Sequence, residues 1–317
     1  MNAAAIDRGV AIAAPDGRVA RPHGGGLHVE SVGAGPPVVL LHGWAMHGGL
    51  FAPLAERLAR RHRVHAVDLP GHGHSPGPNP PGEAASLDAV VAALGAAIDE
   101  PDIATTATGE GGVADGTHGT GAAATDADGS RGRAPVTLIG WSLGAAVALA
   151  FAHARPDRVA RLILVGATPR FVTDADWPHA MTAQTLARFG DELAVSWRHT
   201  LQRFLALQVH GSDHGRAALH ALRHELFTRG EPAPEVLRDG LALLGGLDLR
   251  AQVPAIAAPT LVVIGGRDAL TPPGAGGWLA AALPHARSVE IAGAGHVPFL
   301  SHPDEFHAAV AAFLDDR

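Results

Sequence analysis

The stretch from Val136 to His153 constrains the fold most. Val136-Thr-Leu-Ile139 is apolar and short enough for a buried strand, it runs into Gly140-Trp-Ser-Leu-Gly144, and an alanine-rich helical pattern follows at once. The sequence therefore reads strand, sharp turn, helix, with Ser142 at the apex. Such a turn needs small residues two before and two after the serine, because the backbone there is strained and a Cβ at either place would strike the neighbouring strand or helix. Gly140 and Gly144 meet that demand. A Gly-x-Ser-x-Gly string alone is a weak signal in a chain with 40 glycines. Its setting between a strand and a helix makes Ser142 a candidate nucleophile.

The neighbouring segments predict a parallel sheet. Leu27 to Val32 reads as a short edge strand. Val38-Val-Leu-Leu41 is a buried strand that meets His42-Gly43-Trp44, where the glycine lets a backbone amide face a cleft. Helical periodicity from Leu50 to Arg60 leads to a second buried strand, Val64 to Asp68, and then to Leu-Pro-Gly-His-Gly-His-Ser75. Strand, helix, strand is the unit of a parallel sheet. Pro76 to Gly82 is a loop and Leu87 to Asp99 a helix. Further strands are expected at Arg161 to Gly166, Thr260 to Ile264 and near Ser288 to Ile291, and a last helix at Pro303 to Leu314 with proline in its first turn.

Three regions depart from that alternation. Residues 1–24 are small, polar and aperiodic, and a loose tail is expected. Ala104 to Ala134 is Gly, Ala, Thr and Asp with almost no large apolar residue, too little to offset its ordering entropy, so a disordered insertion is expected there. Between Thr168 and Arg250 the pattern is helical without strands, with segments near Thr182 to Phe189, Leu193 to Val209, Arg216 to Phe227 and Pro234 to Leu244. An all-helical insertion of this length between sheet strands reads as a lid. The expected division is a core of residues 25–167 and 251–317 with a lid at 168–250.

Composition removes several function classes. With no cysteine, disulfides, thiolate nucleophiles and Cys-ligated zinc are all excluded. A formal charge of −7 argues against a nucleic-acid binder, whose affinity would rest on a basic surface. Charged residues at 7, 8, 16 and 18 break any signal-peptide core, and no later run approaches a membrane span, so a cytoplasmic monomer without cofactor or metal is expected.

A serine hydroxyl is a weak nucleophile that needs a base, and the base needs a group to hold its tautomer. Asp268 lies just past the strand Thr260 to Ile264. His296 lies just past the last strand, among the glycines of Ala292-Gly-Ala-Gly-His296. Most of the 20 histidines must be surface residues, but this one falls where a base is required. The order Ser142, Asp268, His296 is the one an α/β-hydrolase sheet demands. An oxyanion hole needs two amides aimed at the developing charge, each worth about 2.7 to 4 kcal/mol. The amides of Leu143, at a helix start, and Trp44, in the His-Gly-Trp turn, are the candidates.

Leu41-His-Gly-Trp44, Asp68-Leu-Pro-Gly-His-Gly-His-Ser75, Gly140-Trp-Ser-Leu-Gly144, Gly266-Arg-Asp268 and Gly295-His296 together resemble the α/β-hydrolase superfamily across nearly the whole chain. Within it, Arg203-Phe-Leu-Ala-Leu-Gln208, Asp176-Trp-Pro178 and His296-Val-Pro-Phe-Leu-Ser-His-Pro-Asp-Glu-Phe306 resemble the pimeloyl-[acyl-carrier protein] methyl ester esterases of biotin synthesis. The resemblance implies an α/β-hydrolase fold, with a mostly parallel central sheet flanked by helices and a helical lid. It also implies a metal-free serine esterase. Phe204, Leu205, Ala206, Leu207 and Gln208 would line the acyl pocket, Trp44 would touch substrate beside Ser142, Leu143 and His296, and Arg203 and Arg216 would dock the acidic carrier protein. Two positions depart from the pattern: His199 and His220 stand where arginines are expected, with Arg198 and Arg223 nearby as substitutes. Two alternatives stay open on the residues alone. One is a carboxylesterase, lactonase or carbon–carbon bond hydrolase acting on a free small-molecule ester or related substrate; the other is a non-catalytic ligand receptor on the same fold.

Overall fold

In the computed structural model, residues 12–13, 19–21, 26–77, 86–100, 103 and 134–316 are described. Among these residues nine strands form one sheet: β1 (Ile12–Ala13), β2 (Val19–Arg21), β3 (Val29–Val32), β4 (Pro37–Leu41), β5 (Arg63–Val67), β6 (Val136–Trp141), β7 (Val159–Val165), β8 (Thr260–Gly265) and β9 (Ala286–Ile291). Their order is β1-β2-β3-β5-β4-β6-β7-β8-β9. Every pairing from β5 through β9 is parallel, and β1, β2 and β3 pair antiparallel at one end. β4, β6 and β8 are buried along their whole length, which is why they read as unbroken apolar runs. β9 is an edge strand carrying exposed Arg287, Ser288 and Glu290, charges that discourage pairing with another chain.

Two expectations at the amino end are corrected. Residues 12–13 and 19–21, read as part of a loose tail, pair with each other and onto β3. β3, expected at an edge, is thus paired on both sides, to β2 and to β5. Segments of two and three residues among Gly, Pro and Arg are too short to show a period of 2, so their pairing is set by the neighbour and not by local pattern. The rest of residues 1–24 lies outside the described residues, as does the insertion expected at 104–134 apart from Ala134.

Helices flank the sheet. α1 (Ala52–Leu58), preceded by a 3-10 turn at Gly48–Phe51, packs with the C-terminal helix α8 (Pro303–Asp315). α2 (Leu87–Ile98) packs with α3 (Leu143–Ala154), the helix after the elbow, and α7 (Pro273–Ala282) covers β8 and β9. α3 is buried from Leu143 to Ala152, so its small alanines let it lie close against the sheet.

Between β7 and β8 stand three helices, α4 (Ala183–Gln208), α5 (Gly215–Glu225) and α6 (Pro234–Gly246). The sequence predicts two segments within α4, broken near Gly190. The structure instead runs helically through Gly190 and breaks at Ser196 (φ −150°, ψ 68°), whose carbonyl accepts the Thr200 hydroxyl at 3.0 Å. One glycine costs a helix only about 1 kcal/mol, whereas a serine–threonine pair offers the backbone another partner. At the base of this layer Arg170 pairs with Asp174 and Asp248, and Arg250 with Asp176 and Asp248. Trp177 is buried beside them, its indole N–H donating to the Arg170 carbonyl at 2.9 Å.

Candidate active site

The carboxyl ends of β4, β6, β7, β8 and β9 open on one edge of the sheet, and the candidate residues gather there. Ser142 follows β6 directly with φ 55° and ψ −116°, a left-handed conformation that L residues adopt only under constraint. The constraint is steric. A Cβ on Gly140 would lie 2.7 Å from the Ala145 Cα, and one on Gly144 would lie 2.7 Å from the His42 carbonyl oxygen. The strand and helix can meet at so sharp an angle only with glycine at both places.

Asp268 and His296 form a buried pair, His296 Nδ1 to Asp268 Oδ2 at 2.7 Å. The carboxylate accepts three further hydrogen bonds, from the amides of Leu270 (2.8 Å) and Thr271 (2.9 Å) and from the Thr271 hydroxyl (2.7 Å). An acceptor so fully engaged requires Nδ1 of His296 to carry the proton, which leaves the Nε2 lone pair as the basic position. That Nε2 is buried and has no hydrogen-bond partner among the described residues.

Three contacts set the imidazole beside the elbow. Trp141, next to Ser142, donates its indole N–H to the His296 carbonyl at 2.9 Å. His296 donates its own amide to the Gln208 carbonyl at the end of α4, at 2.8 Å. Gly166, φ 52°, leaves the ring room, since a Cβ there would lie 2.9 Å from Nδ1. Sequence reasoning missed Gly166 and Thr271. The first carries the signal of a glycine closing a buried strand, and the second is one more threonine in a loop.

Leu143 and Trp44, expected to supply the oxyanion-hole amides, follow the elbow and the end of β4. Leu143 is the first residue of α3, so its N–H has no acceptor within the helix. Gly43 lies against the elbow: a Cβ on it would be 3.2 Å from the Ser142 Cβ. Trp44 follows in a tight loop whose next residue, Ala45, has φ 65°. The Trp44 indole donates to the Leu237 carbonyl of α6 at 3.0 Å and packs edge-on against Phe204, ring centroids 5.0 Å apart.

Beside Trp44 opens a cavity of about 430 Å³, lined mainly by apolar side chains from the neck and lid, among them Phe171, Met181, Phe189 and Leu244. Of the five residues expected to line an acyl pocket, Phe204, Ala206 and Leu207 do so. Leu205 and Gln208 do not. Leu205 is wholly buried in the core, and Gln208 is buried with its carbonyl on His296. Successive helical residues are turned by about 100°, so a five-residue string cannot present every side chain to one cavity. Ser142, Leu143 and His296 lie outside the lining as well, and Trp44 belongs to it.

The expected docking residues are exposed on the lid. Arg203 stands at the cavity mouth, paired with Glu192 at 2.5 Å, and Arg198 is paired with Glu231. Arg216 and Arg223, both on α5, form no ion pair among the described residues. His199 and His220 are exposed too. Elsewhere the lid is tied to the core by Arg229, which bonds both oxygens of the buried Asp68 at 3.0 Å and pairs with Glu30 at 2.6 Å. Burial acts to raise the Asp68 carboxyl, but the Arg229 guanidinium and the amides of His74 and Gly48 outweigh it and hold the group below the usual carboxylate range. No cluster of metal-ligating side chains occurs among the described residues.

A strained serine elbow at the carboxyl edge of a parallel sheet, followed along the chain by an Asp–His pair just past β8 and β9, defines a class. The chain belongs to the alpha/beta hydrolase family, whose pattern matches residues 38–309. It is 44% identical over 289 residues to the pimeloyl-[acyl-carrier protein] methyl ester esterase of Xanthomonas axonopodis pv. citri (strain 306), a match covering 91% of this chain and 98% of that protein. The similarly named protein of Stenotrophomonas maltophilia (strain K279a) is 41% identical over 288 residues, covering 91% of this chain and 96% of the relative. Among solved structures, an esterase from Exiguobacterium antarcticum superposes with a TM-score of 0.76 at 21% identity, covering 97% of this chain and all of that one, which is a likeness of fold.

Proposed function

We propose that the protein hydrolyses the methyl ester of pimeloyl-[acyl-carrier protein], releasing methanol and leaving the free carboxylate on the carrier-bound chain. The observation that carries this reading is the 44% identity over 91% of the chain to an esterase of that name. The geometry supplies a mechanism. Ser142 Oγ attacks the ester carbonyl while His296 Nε2, free to accept, takes its proton. Asp268 fixes the tautomer and balances the imidazolium. The amides of Trp44 and Leu143 receive the oxyanion. When the intermediate collapses, His296 returns the proton to the departing methoxide. Water, activated by the same imidazole, then releases the acid from Ser142.

The cavity beside Trp44 suits an aliphatic acyl chain, being apolar in its interior and edged by Arg188, Glu192 and Arg203 at its mouth. The exposed Arg216 and Arg223 of α5, in no ion pair among the described residues, offer a cationic face to an acidic carrier protein. No described helix is long and apolar enough to cross a membrane, and the reading places the enzyme in the cytoplasm with its carrier protein. The test is genetic. A biotin-requiring bacterial strain lacking its own esterase should grow without biotin when given this chain, and should not when given Ser142→Ala. Failure of the parent chain to restore growth, although expressed and folded, would refute the assignment.

A further inference from the structure

We propose that residues 183–195, the part of α4 that precedes the break at Ser196, form a gate over the cavity beside Trp44, hinged at Ser196 and latched by the Glu192–Arg203 ion pair. The inference rests on the reading of that cavity as the acyl site. It starts from an asymmetry within one helix. Before the break only Leu193 is buried, whereas after it Thr200, Leu201, Phe204, Leu205 and Gln208 all are. A helix in a protein is held mainly by the apolar face it buries, so the two halves of α4 are secured very differently.

The second half is fixed to the core. The carbonyl of Gln208, its last residue, accepts the His296 amide at 2.8 Å. Residues 183–195 have no such tie. Among the described residues no hydrogen bond joins them to the sheet, to α5 or to α6, and Glu192–Arg203, which spans the break, is their only ion pair. The helix is interrupted on both sides of them. Thr182 caps it from an extended conformation (φ −69°, ψ 148°), its hydroxyl accepting the Thr185 amide at 3.2 Å, and Ser196 leaves the helical region at φ −150°, ψ 68°. The joint at Ser196 lies open to solvent, Val195 beside it being 89% exposed.

This half-helix is a wall of the cavity. Thr185, Leu186, Phe189 and Glu192 line it from the first half, and Arg203 and Phe204 from the second. The Phe189 ring stands 5.9 Å from that of Trp44 and 5.6 Å from that of Phe204, centroid to centroid, so an aliphatic chain laid along Trp44 has to displace it. Phe189 is carried by the weakly held half, and it can leave with that half while the core side of α4 stays packed. The latch is loose for a physical reason. Its two side chains are 57% (Arg203) and 34% (Glu192) exposed, and an ion pair set in water is worth little.

The test tethers the gate. The chain contains no cysteine, so two introduced thiols have only each other as intramolecular partners. A Cβ on Gly245 of α6 would lie 3.1 Å from Cδ2 of Leu186, which puts the two positions within reach of a disulfide. Leu186→Cys combined with Gly245→Cys should therefore hold the gate against α6 when oxidised and free it when reduced. Oxidation is expected to lower kcat/KM on p-nitrophenyl hexanoate at least about tenfold, and on p-nitrophenyl acetate, whose acyl group has no chain to place in the cavity, less than about threefold. Reduction should restore both. Hexanoate rates indifferent to oxidation, or equal losses on the two esters, would overturn the proposal. Should the tether not form, hydrogen exchange in the parent decides. Amides of residues 187–195 should exchange at least about tenfold faster than those of residues 200–208. Glu192→Gln should speed the first set about two- to fivefold, the scale of one exposed ion pair. Equal protection on the two sides of Ser196 contradicts the gate, and exchange indifferent to Glu192→Gln contradicts its latch. A parent that hydrolyses neither ester would instead remove the esterase reading beneath, with the exchange measurement still deciding the gate.

Discussion

Gly240 of the lid leaves the space that the indole of Trp44 fills: a Cβ at Gly240 would stand 2.7 Å from Cδ1 and 2.9 Å from Nε1 of that ring. The neighbouring turn of the same helix accepts the indole N–H through the Leu237 carbonyl. Lid and the loop after β4 are thereby joined at one residue. Gly240→Ala should raise the intrinsic stability of α6 by up to about 1 kcal/mol while displacing Trp44. Turnover of a small ester is expected to fall by an order of magnitude or more with the melting temperature unchanged or higher. Stability and activity moving down together would argue for simple misfolding of the lid.

The Asp268–His296 pair predicts a graded series. Ser142→Ala and His296→Ala should each abolish nearly all turnover, and combining them should cost little more, because the groups act as a unit. Asp268→Asn should lose about 10⁴-fold, since an amide N–H facing Nδ1 selects the tautomer that blocks Nε2. Thr271→Val removes one hydroxyl donor to the carboxylate and leaves the two backbone donors, so a loss of only about threefold to tenfold in kcat is expected. Steady-state rates on one short ester, with circular dichroism to confirm folding, check the whole series.

Most of this site was legible because its residues sit at strand ends marked by local pattern. Gly140 and Gly144 are required by the turn itself, Asp268 follows an apolar run, and His296 lies among glycines just past the last strand. What escaped the sequence depends on distant partners. The His42 ring takes its hydrogen bond from Leu69, in another loop, and the room for the His296 ring comes from Gly166 at the end of a different strand. Burial of Leu205 beside a cavity-lining Phe204 reflects the helix rotation, and locating the cavity needs the neighbouring helices. The pairing of residues 12–13 and 19–21 onto β3 likewise arises from the sheet they join.

Buried histidines give the fold an acid limit above the carboxylate range. His42, and His72 beside it, are held neutral chiefly by burial, so both titrate below 6.5 in the folded state and near 6.5 when unfolded. Between those values the unfolded chain binds more protons, and stability must decline as pH falls. Such a group costs up to about 1.4 kcal/mol per pH unit while the pH lies between its folded and unfolded pKa values. For His42 the decline continues to about 3. Urea unfolding at pH 7, 6 and 5 should show it, with a shallower slope in His42→Asn. Identical slopes in the two proteins would contradict the assignment of a buried neutral His42.

Carrier-protein docking should depend on Arg216 and Arg223 of α5, which form no ion pair among the described residues. Charge reversal of Arg216 and Arg223 together is expected to lower kcat/KM on the carrier-linked ester by about tenfold at low salt and to leave a free ester untouched. Arg203→Glu alone should disturb both substrates, since that residue already pairs with Glu192 and edges the cavity. Raising ionic strength should reproduce the loss in the parent. Equal salt dependence for the two substrates would mean that these arginines take no part in recognition.

The most direct measurement is the rate of methanol release by the purified protein from pimeloyl-carrier-protein methyl ester, set beside dimethyl pimelate at equal concentration. The account predicts methanol and free carboxylate in equal amounts from the carrier-linked substrate, at a kcat/KM at least about tenfold above that of the free diester, and none from Ser142→Ala. Hydrolysis of the free diester with the carrier-linked ester left intact would contradict it.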